Sequence, residues 1–116
     1  MAADVIRSDH QEFLSLLSLD AQEKPLGLSA AVQFPLTVPR WFVSRIEPGD
    51  WQDPILRQLW PAQEEEITAL NYVIDPLEET RFNPVPGLLH KYTSRVLLTA
   101  APHCAVHCRY CFRRHF

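Results

Sequence analysis

Three cysteines lie within eight consecutive positions, Cys104, Cys108 and Cys111, and the chain has no others. An odd number of thiols packed so closely argues against a disulfide framework and for metal or cluster ligation in a reducing compartment. The spacing Cys-x-x-x-Cys-x-x-Cys lets one loop wrap three thiolates around one face of an iron-sulfur cube. The fourth iron is left open for an outside ligand, as a catalytic cluster requires, whereas four thiolates close the centre for electron transfer. A rival reading stays open beside it: Cys104, Cys108, Cys111 and His115 could close a tetrahedral Cys3His zinc shell, with His103 and His107 as further candidates. Once iron is assumed, the three histidines read as loop or packing residues. Buried, unligated cysteines are disfavoured, because Arg109, Arg113, Arg114 and the histidines form an electropositive setting that favours thiolates.

What precedes the cysteines sets the fold class. Arg95 to Ala100 has a continuous apolar middle that predicts a strand buried on both faces, as in a parallel sheet, and chemistry in α/β folds gathers beyond the C-terminal ends of such strands. Upstream, Asp9 and Glu12 form a capping-box-like pair before Phe13, Leu14, Leu16, Leu17 and Leu19, which predicts a helix over 9–19. Pro25, Pro35 and Pro39 interrupt the next stretch, where Pro39 is expected to open a helical turn carrying Trp41, Phe42 and Ile46. Asp53 and Pro54 read as the N-cap and first turn of a helix running to about Trp60, ended by Pro61. Glu64, Glu65 and Glu66 read as a solvated face with no chemistry. The expected fold is therefore α/β, with a mainly helical, irregular segment over 1–94 and the first strand and cysteine loop of a catalytic core over 95–116.

Composition limits the remaining classes. Hydrophobic residues make up 47% and charged residues 22%, a globular balance. A net charge of -3 gives no general pull toward nucleic acid or an anionic membrane, although the arginines near the C-terminus suggest a local anion site. No apolar run reaches the roughly 20 residues that span a bilayer, and the first residues lack a secretory layout, so a cytoplasmic location is expected. At 116 residues the chain is shorter than the roughly 200 or more of a (β/α) barrel, so it is expected to be truncated after residue 116.

Beyond the cysteines, Phe34 to Arg40, the helix start Asp53 to Arg57, the turn Asp75 to Glu78, and Pro86 to Leu98 together resemble the lysine 2,3-aminomutase family of radical S-adenosyl-L-methionine (SAM) enzymes. The resemblance covers most of residues 34–116 and implies a partial (β/α) barrel. It also implies three cofactors: a 4Fe-4S cluster on Cys104, Cys108 and Cys111, SAM chelated to the open iron with Tyr110 near its adenine, and pyridoxal 5'-phosphate (PLP). In the family, the segment matching Lys91, Tyr92, Thr93, Ser94 and Arg95 contacts the PLP phosphate, and the position of Arg113 binds the substrate carboxylate. Cationic and phenolic donors suit a phosphate, and a planar guanidinium grips a carboxylate through two parallel hydrogen bonds.

The implied activity is conversion of L-α-lysine to β-lysine by a radical route, with no catalytic residue here beyond the cluster ligands. The wording from Cys104 to Phe116 is nearest to the branch that serves elongation factor P. That implies a functional link to elongation factor P and its lysyl ligase, and a reductant such as flavodoxin. A radical SAM aminomutase for another amino acid remains the alternative within the class. Lys24 and Lys91 are the only lysines, and neither is well placed to hold PLP, so that lysine is expected from beyond Phe116 and the 116 residues alone are expected to be inactive.

Overall fold

The computed structural model describes residues 4–115, the side chain of Arg113 excepted. The fold is a small α/β arrangement of short elements in two units: residues 4–67 with 105–114, and residues 68–104 with 115.

The first unit begins with β1 (Val5–Arg7), which pairs antiparallel with β2 (Thr37–Pro39) in the register Ile6 to Val38. Between them stand α1 (His10–Leu16) and α2 (Leu28–Gln33). Asp9 caps α1 as the capping pair predicts: its Oδ1 accepts from the Glu12 amide at 2.9 Å, satisfying one of the donors a helix start leaves over. The helical turn predicted after Pro39 is α3 (Arg40–Val43), and Ile46 follows just beyond it. Asp53 is buried, and its Oδ1 accepts from the amides of Ile55 (2.8 Å) and Leu56 (3.0 Å) at the start of α4 (Leu56–Leu59). Burial pushes this carboxyl up, but the amides of Glu47, Leu56 and Ile55 outweigh that and hold it below the usual range. Proline at 61 ends the helix, as expected, since it cannot continue the hydrogen-bond ladder.

These elements bury one cluster: Ile6, Phe13, Leu14, Leu17, Leu36, Val38, Val43, Ile46, Leu56, Leu59 and Trp60. Phe13 and Leu14 of α1 and its C-cap Leu17 all belong to this cluster, and Phe13 stacks on Trp60 with ring centres 6.3 Å apart. Burying a Leu, Ile or Phe side chain is worth about 1.5 to 3 kcal/mol, so this cluster is the main source of cohesion in the unit.

The second unit holds a short 3₁₀ turn (Glu79–Phe82) and a hairpin of β3 (Leu88–Tyr92) and β4 (Arg95–Leu98), paired antiparallel with Leu89 opposite Leu97 and Tyr92 opposite Arg95. The predicted strand is present, but its predicted setting is not. All four β4 residues are exposed, and their partner is the preceding strand rather than a parallel neighbour. An apolar run signals extended chain, but it does not say what covers that chain. The Thr93-Ser94 link is short enough for the strand to fold back on its predecessor, which a parallel pair cannot do. The segment 1–94 also carries three strands beside its helices.

Candidate functional site

Cys108 and Cys111 sit in the first unit, in a segment pinned by its own backbone. The His107 amide donates to the Thr37 carbonyl at 2.9 Å, and the Arg109 amide donates to the Gln58 carbonyl at 2.7 Å. Between them Cys108 begins a turn that the Cys111 amide closes on the Cys108 carbonyl at 2.9 Å. Cys104 falls in the second unit, and all three thiols are partly exposed. Partly exposed thiols at this spacing are a donor set that suits an iron-sulfur cluster. Among the described residues, no three His, Cys, Asp or Glu side chains are already gathered to hold a metal ion.

Around this turn the side chains form a network that sequence reasoning missed. Arg109 is buried, and its guanidinium forks onto Glu65: Nε donates to Oε1 and Nη2 to Oε2, both at 2.8 Å. Its remaining donors reach the carbonyls of Ala30, at 3.0 Å, and Phe34. Arg114 donates to the same carboxylate at 3.1 Å and to the Arg109 carbonyl at 2.9 Å. Both guanidiniums lie 5.2 Å from the centre of the Phe34 ring. His107 stacks on that ring at 4.5 Å, and its Nδ1 is 2.9 Å from the Pro35 carbonyl. The packing role expected of His107 is therefore the observed one.

Two expectations are corrected here. The glutamates are exposed, as expected of a solvated face, but they are not without partners. Glu64 pairs with Lys24, Glu65 with Arg109 and Arg114, and Glu66 accepts from the Ser29 and Ala30 amides at 2.6 and 3.3 Å, capping α2, whose own N-cap Gly27 has no side chain to do so. Gly27 permits this docking because a Cβ there would lie 2.7 Å from the Ala62 carbonyl oxygen. Nor do Arg109 and Arg114 form an open anion site, since Glu65 and the carbonyls of Ala30, Phe34 and Arg109 already engage their donors. Burial pushes the Glu65 carboxyl up, and the hydrogen bonds and charges of Arg109 and Arg114 outweigh it, so the group is held below the usual carboxylate range. The only sequence signal was a charge balance, with acids at 64–66 and arginines at 109–114 each lacking local partners.

The residues matched to phosphate contact lie together on the hairpin of the second unit. Lys91 donates to the Leu77 carbonyl at 2.7 Å and lies 5.5 Å from the Phe82 ring centre. Tyr92 and Arg95 face each other across the turn, with the guanidinium 4.6 Å from the tyrosine ring centre. Both are exposed, so a cation and a phenol stand side by side, which is donor chemistry suited to a phosphate. Asp75 organises the preceding turn, accepting from the amides of Glu79 and Thr80 at 2.9 Å each. Tyr110 is exposed on the turn between Cys108 and Cys111. The side chain of Arg113 lies outside the described residues.

Two of the three thiols, Cys108 and Cys111, lie on one braced turn, and the Cys-x-x-x-Cys-x-x-Cys spacing of all three is a pattern suited to thiolate ligation of a metal centre. Comparison with known proteins gives the family. The chain is 53% identical over 115 residues to L-lysine 2,3-aminomutase of Escherichia coli (strain K12), a match covering 98% of this chain and 33% of that protein. It is 43% identical to L-lysine 2,3-aminomutase of Haemophilus influenzae over 94% of this chain and 32% of that protein, and 33% identical to the Clostridium subterminale enzyme over 91% and 26%. No protein-family model matches. The chain belongs to the lysine 2,3-aminomutase family. It spans about a third of the length of the Escherichia coli and Haemophilus influenzae relatives. Among the described residues, no helix is long and apolar enough to cross a membrane.

Proposed function

We propose that this chain is the cluster-binding segment of a radical SAM aminomutase that interconverts L-α-lysine and β-lysine. Cys104, Cys108 and Cys111 would hold the 4Fe-4S cluster, Tyr110 would lie against the adenine of SAM, and Lys91, Tyr92 and Arg95 would receive the PLP phosphate. Arg113 would bind the substrate carboxylate. Cluster and SAM supply a radical when bound, and PLP supplies stabilisation of the migrating nitrogen, so the protein's task is binding and orientation. The carrying observation is the three-thiol spacing in a chain so close to proteins named for this reaction.

The finer reading is an aminomutase of the EpmB type, acting in the cytoplasm with a reductant such as flavodoxin and producing β-lysine for elongation factor P and its lysyl ligase. It is supported by the wording of residues 104–116. The rest of the protein would supply the PLP-holding lysine and the carboxylates that grip the distal amine of lysine. Anaerobic reconstitution with iron and sulfide tests the proposal. A brown protein with the broad visible absorption of an iron-sulfur cluster is expected, and Cys108→Ala should abolish it. A colourless protein holding stoichiometric zinc would instead select the Cys3His module.

A further inference from the structure

The turn that carries Cys108 and Cys111 is anchored at both ends, and the two anchors converge on one side chain. Upstream of Cys111, Arg109 is fixed by its amide on Gln58 and by its guanidinium on Glu65, Ala30 and Phe34. Downstream, Arg114 bonds the same Glu65 carboxylate and reaches back to the Arg109 carbonyl, while its amide donates to the Cys111 carbonyl at 3.2 Å. Glu65 thus ties residue 109 to residue 114, a brace that begins directly after Cys108 and spans Cys111. The side chains in it are 7%, 14% and 21% exposed for Arg109, Arg114 and Glu65, so little solvent competes for these bonds.

We infer that Glu65 is a positioning residue for the cluster: through Arg109 and Arg114 it fixes the segment that carries Cys108 and Cys111, and its single negative charge offsets part of the two positive charges on that segment. This rests on the cluster reading above. Groups that orient metal ligands from behind govern how firmly a centre is held, and net charge near a cluster sets its potential. Removing the carboxylate charge should therefore loosen the cluster. It should also raise its midpoint potential, because the two arginines would then be uncompensated.

The experiment compares the 116-residue chain with Glu65→Gln and Glu65→Asp after anaerobic reconstitution, reading the rate of iron release to a chelator and the midpoint potential of the cluster. Glu65→Gln should take up iron and sulfide but release iron several-fold faster than wild type, at a higher potential. Glu65→Asp, which keeps the charge, should return the potential toward the wild-type value. Should Glu65→Gln fail to fold by circular dichroism, Glu65→Asp decides alone: wild-type potential with faster release upholds the brace, and wild-type values of both overturn it. A folded Glu65→Gln chain matching wild type in both readouts also overturns it while leaving the cluster reading intact. A wild-type chain that binds no iron and sulfide removes both.

Discussion

The two units use apolar residues to opposite effect. In the first, eleven hydrophobic side chains are buried in one cluster, and the turn carrying Cys108 and Cys111 hangs from carbonyls next to it. In the second, no described residue is fully buried, and Leu70, Tyr72, Val73, Ile74, Val96, Leu97 and Leu98 are all more than half exposed. The difference is one of cover. Phe13, Leu14 and Leu17 are buried in one cluster with residues of both strands and of α4, while a two-stranded hairpin has nothing of its own to bury either face against. A chain segment becomes a core through what it can pack on, and apolar content alone does not supply that.

Core truncation should show the largest contrast. Phe13→Ala, at a fully buried ring, should cost about 3 to 5 kcal/mol in urea unfolding of the chain, whereas Leu97→Ala should stay within about 0.5 kcal/mol. Equal losses would break the comparison. Next comes the brace. Arg109→Ala leaves Glu65 with Arg114 alone and two carbonyls without their partner, and breaking such a partly buried pair costs about 3 kcal/mol. A loss as small as that of an exposed ion pair would show that the network is ornamental to stability. Asp53→Ala removes the side-chain acceptor for two amides at the start of α4 and should cost about 1 kcal/mol by the same measurement.

The smallest effect is a pH dependence that sharpens the picture of Glu65. Its carboxyl is held below its ordinary value in the folded chain, so its stabilising contribution is present above that ordinary value and is lost as pH falls through the lowered one. Stability followed by urea unfolding from neutral pH into acid should therefore fall less steeply in Glu65→Gln than in wild type. Identical slopes would mean that the ion pair does not report on folding.

What was legible in the sequence was local. Asp9 and Asp53 announce helix starts because a short acidic side chain reaches amides two or three residues on, and the cysteine spacing is itself a local pattern. The hairpin strand was legible as extended chain, but its antiparallel partner and its exposure were not, since both depend on neighbours rather than on the run itself. The Glu65 network was illegible for the same reason. Its members are 34, 65 and 109, brought together only by folding, and an acidic run looks the same whether its charges meet water or arginine.

The functional reading is tested most directly by transplantation. Replacing the matching 115 residues of Escherichia coli L-lysine 2,3-aminomutase with this sequence should give a protein that forms β-lysine from L-lysine, detected by mass spectrometry, and loses that activity on Cys108→Ala. A graft that folds and carries iron and sulfide at the parent's level, yet makes no β-lysine, would contradict the assignment of this chain to that reaction.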